Sequence, residues 1–219
     1  MHHQNHNPHP MNKFISVLTA SLLSILSLTA CAQTSKNNPH ATKDMNNKKI
    51  LVAYFSHTGE NYGVGNITQG NTHIIADMIG EQTGATLFEI VPQKEYPKTY
   101  NACVDVAKKE KSAKARPAIK SDISVEDYDI IFLGYPNWWG DMPMPVYTFI
   151  EGHDWTGKTV IPFCTHEGSG LSATEKYIAN ACTGATVLKG LAVRGTTAQT
   201  SRPEAQSAVT RWLTSLPKE

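Results

Sequence analysis

Five apolar runs, each followed by a segment with helical spacing, constrain this chain more than any other feature. Lys48–Phe55, Ala85–Val91, Tyr128–Pro136, Lys158–Thr165 and Ala185–Val193 read as strands, and most are apolar along their whole length rather than alternately. That suits strands covered on both faces. Between the first two lies a helical pattern with Ile74, Ile75, Met78 and Ile79 on one face, Asn71 or Thr72 to cap it and Gly84 to end it. Further helices are predicted over Thr99–Ala115 (closed by Pro117), Pro143–Gly152, Ser172–Gly184 and Pro203–Leu216. Apolar strands with helical connections imply an α/β fold: one parallel sheet, wound by right-handed crossovers, with helices on both faces. Ligands of such sheets lie beyond the carboxyl ends of the strands, near the point where strand order reverses. The loops after the first, third and fourth strands are therefore the ones that matter.

The first loop, running to Thr72, is rich in hydroxyls, amides and glycines and has no lysine or arginine. Hydroxyls of Ser56, Thr58 and Thr72, the Asn71 amide and unpaired N–H groups at a helix start suit one terminal phosphate held by neutral donors. A long solvent loop with a good helix cap is the plainer alternative. Competing phosphate motifs fail: no GxxxxGK[ST] is present, and Gly63, Gly65 and Gly70 are spaced GxGxxxxG. Gly168-Ser169-Gly170 lacks the spacing of a nucleophile elbow. The third-strand loop, Gly134–Pro143, carries the adjacent Trp138 and Trp139, rings that suit a flat heteroaromatic ligand or the capping of the core. The fourth, Cys164–Ser172, places glycines around Ser169 and suits either backbone presentation to a ligand edge or an ordinary strand-to-helix turn.

With these three loops the chain resembles the flavodoxin-like FMN proteins, over Lys49 to Leu216. Ser56-His57-Thr58-Gly59 matches the first half of that family's T/S-x-T-G-N-T phosphate loop, and Gly70-Asn71-Thr72 the second, with Glu60–Gln69 inserted between them. The inserted form, with its Pro136–Gly140 P-x-W-W-G stretch, resembles a bacterial long-loop subgroup. The resemblance implies a five-stranded sheet in the order 2-1-3-4-5 and FMN as cofactor. It places Ser56, Thr58, Gly59, Asn61, Asn71 and Thr72 at the phosphate. Pro136, Asn137, Trp138, Trp139, Gly140, Thr165, His166, Glu167, Gly168, Ser169 and Gly170 would flank the isoalloxazine. Gly140 would let the backbone approach the flavin N5, and few cations near the phosphate would disfavour a reduced anionic ring. Tyr62 has two open roles, covering the ring or anchoring the insert. No catalytic acid or base is required; His57 and His166 read as surface loop histidines, or as groups that tune protonation.

The first 47 residues differ from the rest. A His/Asn/Pro-rich extension precedes Met11–Cys31, which reads as a signal peptide: Lys13 is the positive region and Phe14–Leu28 the apolar one. Leu28-Thr29-Ala30-Cys31 resembles a lipoprotein box, so Cys31 is the expected lipidation site and the protein is expected to be exported and held at a membrane surface. Residues 32–47 read as a tether reaching about 20–25 Å, leaving 48–219 as the flavodoxin-like domain. Of the 20 Lys and Arg and 19 Asp and Glu, only Lys13, Lys36, Lys43 and Asp44 precede the domain, so it is close to neutral. Nothing points to nucleic acid, and no Cys/His spacing suits zinc. Cys103, Cys164 and Cys182 are expected as small buried residues.

The family's small electron carriers are usually strongly acidic. A near-neutral domain leaves room for a reductase of quinones or other small acceptors, and for a non-catalytic flavin-binding surface lipoprotein. The electron donor and acceptor are not legible in the sequence.

Overall fold

The computed structural model describes residues 47–217. The extension and signal peptide, the lipidation site Cys31 and the tether up to residue 46 lie outside them. The described part alternates as predicted. It comprises β1 (Ile50–Tyr54), a hairpin of β2 (Gly59–Asn61) and β3 (Gly65–Ile67), α1 (Asn71–Thr83), β4 (Thr86–Glu89), α2 (Tyr100–Ala113), β5 (Ile130–Pro136) and α3 (Met144–Glu151). Then follow β6 (Thr159–His166), α4 (Thr174–Ala181), β7 (Thr186–Val187), β8 (Leu191–Arg194), α5 (Gly195–Thr200) and α6 (Arg202–Ser215).

The main sheet runs β4-β1-β5-β6, with β7 and β8 both on the far side of β6, and every pairing in it is parallel. Numbered by the five predicted strands, this is the order 2-1-3-4-5. Successive side chains of a strand point to opposite faces, and the apolar runs therefore feed two cores. Leu51, Ala53 and Phe55 join Leu133, Tyr135, Val146 and Phe149 on one face, under α2, α3 and α4. Ile50, Val52 and Tyr54 join Phe132, Ile161, Ile75 and Trp212 on the other, under α1 and α6. β1 is buried along its whole length because both faces are covered.

The fifth strand departs from expectation. It breaks at Leu188–Gly190 into β7 and β8. Val160 is paired with Val187 and Phe163 with Leu191, so the edge chain spends one more residue than β6 over the same stretch. Pro162 lies opposite the break. It has no N–H to give to a ladder, and a bulge is the local answer. The first loop also departs: its inserted residues form the antiparallel β2–β3 hairpin rather than open loop. Cys103, Cys164 and Cys182 are buried free thiols, as expected.

Candidate functional site

The carboxyl ends of β1, β5 and β6 share one cavity of about 340 Å³, within the range of small-molecule sites, roughly 300–1,000 Å³. Asn61, Asn71, Pro136–Trp139 and Thr165–Ser169 all lie on its wall, so the three predicted loops converge. Ser56, Thr58, Gly59, Thr72, Gly140 and Gly170 do not line it.

The first loop turns back sharply onto α1. His73 N–H donates to Ser56 Oγ at 3.1 Å, so the oxygen that satisfies the helix start comes from the end of β1. Neither Asn71 nor Thr72 is the cap; that position is Gly70, which has no side chain to offer. A Cβ on Gly70 would meet Ser56 Oγ and lie 2.7 Å from His57 O. The Asn71 and Thr72 N–H groups, at the first positions of α1, have no intrahelical acceptor and carry the positive end of the helix dipole. The Asn71 Oδ1 accepts from Gln199 Nε2 at 2.8 Å, which fixes the amide. Ser56 and Thr58 face a second cavity on the β4 side, also lined by His73, Glu89 and Lys98. There Lys98 Nζ donates to Thr58 Oγ1 at 2.7 Å. Lys98 thus brings one cation, from outside the loop, to a residue expected at the phosphate; Lys108 Nζ stands 5.8 Å from the Trp139 ring centroid, and Arg194 pairs alongside His166.

The loop after β5 is a tight turn. Trp138 and Asp141 exchange both backbone hydrogen bonds, at 2.9 and 3.2 Å. The central residues Trp139 and Gly140 have φ 54° and 76°, the sign pattern of a type I′ turn. Trp138 packs edge-on against Phe55, His57 and Tyr96, and Trp139 remains exposed. Asn137 ties this turn to the loop after β6. Its N–H donates to Thr165 O at 2.8 Å, its Nδ2 to Gly170 O at 2.8 Å, and its Oδ1 accepts the Gly140 N–H at 2.9 Å. Of the two Gly140 backbone groups that could approach the ring, the N–H is therefore already engaged and the carbonyl is the one left.

The loop after β6 is held from the other side. Glu167 accepts from Thr196 N at 2.6 Å and Thr196 Oγ1 at 2.8 Å. Thr72 and Thr165, both buried, share a hydroxyl hydrogen bond of 2.8 Å that joins the start of α1 to β6. Gly168 lines the cavity at φ 138°, and no heavy atom lies within 4 Å of where its Cβ would stand. A side chain there would meet no neighbouring atom, but the positive φ would strain it.

His57 is buried, not a surface histidine. Its Nε2 lies 3.1 Å from Pro97 O, which can only accept, so Nε2 carries the proton. Nδ1 is then free to accept from Asn61 Nδ2 at 3.3 Å. Burial pushes the His57 imidazole below its ordinary range, against the opposing pull of the Pro97 bond. Burial and then Arg194 lower His166.

Sequence reasoning missed one wall entirely. Tyr100, Cys103, Val104 and Ala107 of α2 close the cavity opposite the loops. Their spacing was visible, but it is that of any core-facing helix stripe. Tyr62 and Glu60 of the hairpin also reach the cavity.

A family model described as Flavodoxin matches residues 49–213. Among solved structures, a protein of Bacteroides eggerthii assigned as a flavoprotein is 33% identical over 76% of this chain and 96% of its own, with a TM-score of 0.61. Another from Bacteroides uniformis, likewise assigned, is 33% identical over 74% of this chain and 98% of its own, with a TM-score of 0.59. A flavoprotein of Lactobacillus acidophilus solved in complex with FMN shares the fold at 24% identity, over 73% of this chain and 99% of its own, with a TM-score of 0.53. A comparison with curated proteins returned no match.

Proposed function

The chain belongs to the flavodoxin family, and from that premise we propose that it is an FMN-binding redox protein which passes electrons to small acceptors at a membrane surface. The observation that carries the reading is the convergence of the β1, β5 and β6 loops on one cavity. One end offers the unpaired N–H groups at the start of α1 and the side-chain amides of Asn61 and Asn71. The other offers tryptophans, glycine backbone and the apolar face of α2.

The residues present fit the cofactor. No side chain stands over the Gly168 backbone on the cavity wall, so a ring edge can approach it there. The Asn71 and Thr72 N–H groups and the Asn71 amide suit a phosphate monoester, whereas the Ser56 hydroxyl faces the second cavity and accepts from His73. The Thr72 hydroxyl is paired with Thr165, so the backbone N–H is the Thr72 group we assign to the phosphate. Pro136–Trp139 and Thr165–Ser169 would flank the ring. Bound there, FMN supplies one- and two-electron chemistry, and the protein supplies placement and local electrostatics. Asn137 locks the two ring loops to each other, and Glu167 pins the second to α5.

A near-neutral domain lacks the strong field that steers acidic carriers to protein partners, which favours small acceptors. We assign Cys31 as the lipidated residue and the exported face of a membrane as the location, on the signal-peptide pattern of residues 11–31. No nucleic-acid role is implied.

The visible spectrum of the purified full chain tests the reading. A yellow protein that is reconstituted by FMN in preference to riboflavin supports both the ring and phosphate ends. A colourless protein that takes up neither removes the functional assignment and leaves the fold. Reversible reduction of the bound flavin separates a redox role from mere flavin storage. For the anchor, Cys31→Ala is expected to move the protein out of the membrane fraction.

A further inference from the structure

Large exposed side chains are unevenly spread over this molecule. Among the described residues the exposed large hydrophobics are Tyr62, Leu87, Tyr100, Trp139 and Tyr177. Three of these, Tyr62, Tyr100 and Trp139, line the same cavity. They come from three separate elements: the hairpin, the start of α2 and the turn after β5. Scattered surface aromatics need no explanation, but a cluster at a cavity entrance does.

The backbone that carries each ring is held in place. Tyr62 is 69% exposed at the hairpin turn, yet the hairpin is not loose. Glu60 N–H donates to Lys98 O at 2.7 Å, and Tyr100 N–H donates to Glu60 Oε2 at 2.8 Å. On the other side the Gly63 turn packs against the Glu167 side chain. The hairpin therefore crosses the entrance between α2 and the loop after β6. The Tyr62 and Tyr100 ring centroids are 6.3 Å apart with planes at 35°, nearer to an offset stack than to an edge-on contact. Trp139 keeps a left-handed backbone, φ 54°, which costs a bulky residue ~1–3 kcal/mol. Such strain persists where the surroundings enforce a placement, and here it leaves the indole half-exposed at the rim.

We propose that Tyr62, Tyr100 and Trp139 form an outer subsite at the cavity entrance that binds a planar aromatic small molecule. It deepens the redox reading, on which it rests for the identity of the inner occupant: the outer molecule is the electron-exchanging partner of the site. Flat π-faces suit a flat ligand, and the positive charge of Lys108 over Trp139 favours an electron-rich or anionic one. The hairpin bridge restricts the entrance, which argues for a small molecule over a docked protein.

Calorimetric titration of the full chain with anthraquinone-2-sulfonate, with and without saturating FMN, tests this. Stacking contributions imply that Tyr62→Ala or Tyr100→Ala weakens probe binding about 3- to 10-fold, whereas Tyr62→Phe stays within about 2-fold. The visible spectrum of bound FMN reports the inner site separately. Absence of probe binding, or equal binding by wild type and both alanine variants, overturns the subsite. A loss of FMN affinity equal to the loss of probe affinity also overturns it, by placing the tyrosines in the inner site. Tyrosine-dependent probe binding by a chain that takes no FMN supports the subsite and removes the flavin reading.

Discussion

Replacing Thr72 by valine preserves side-chain volume and deletes one hydroxyl from a buried pair. Thr72 and Thr165 are 1% and 3% exposed, and their 2.8 Å bond is the one side-chain hydrogen bond recorded for either among the described residues. The valine strands the Thr165 hydroxyl away from water, and an unsatisfied buried polar group costs about 1–3 kcal/mol. Thr165→Val strands Thr72 at a similar cost. The double variant removes both hydroxyls, leaves no orphan and is expected within ~0.5 kcal/mol of wild type, because two matched apolar groups can replace a hydrogen-bonded pair almost neutrally. With a urea m-value of roughly 2 kcal/mol/M, each single variant lowers the unfolding midpoint by about 0.5–1.5 M and the double returns most of it. Equilibrium urea unfolding on all four proteins is the assay. Single variants within error of wild type, or a double variant costing the sum of the singles, would refute the reasoning. FMN retention is a second readout. The Thr72 hydroxyl points to Thr165, so the double variant is expected to keep its FMN, and loss of cofactor there would return that hydroxyl to the phosphate.

Other expectations can be checked directly. Gly70→Ala forces a Cβ onto Ser56 Oγ and toward His57 O; overpacking of this kind costs about 1–3 kcal/mol, and both a lower Tm and poor FMN uptake are expected. His57 and His166 are held below the ordinary value of 6.5. The unfolded chain therefore binds more protons than the folded one below that value. Stability is expected to be flat above about pH 6.5 and to fall as pH drops through 6.5 toward the folded values; His57→Gln should flatten that fall in urea midpoints between pH 7.5 and 5, and an unchanged slope would count against it. Burial pushes the Cys103 thiol up to about 11 and those of Cys164 and Cys182 up to about 12, so all three should resist a thiol reagent in the native protein and react on unfolding.

The layered architecture was legible because its determinants are local. Ile50–Tyr54 and Ile130–Pro136 are apolar enough to demand cover on both faces, and Ile74 to Ile79 repeat at helical spacing. The converging loops were legible because a single sheet direction brings all strand ends to one side. What escaped is non-local. Nothing within Gly59–Ile67 announces a hairpin; it pairs through glycine and asparagine and is held by the backbone of Lys98 and Tyr100. Lys98 lies forty residues from the hydroxyl it meets. The break in the last strand lies opposite Pro162, on a neighbour, and holds Gly190, where a Cβ would stand 2.8 Å from Pro162 O. The α2 wall was visible as a stripe, but core and cavity use the same stripe.

That break has a consequence for how copies of the protein behave toward one another. An outermost strand with unpaired amides invites another chain to add on. Here one rim of the sheet is split into a two-residue and a four-residue piece with a kink between them, and the opposite rim, β4, spans four residues. Neither offers the long, straight ladder that self-templating growth requires. A single proline on an interior strand would then act as a guard against polymerisation wherever copies of the chain meet often.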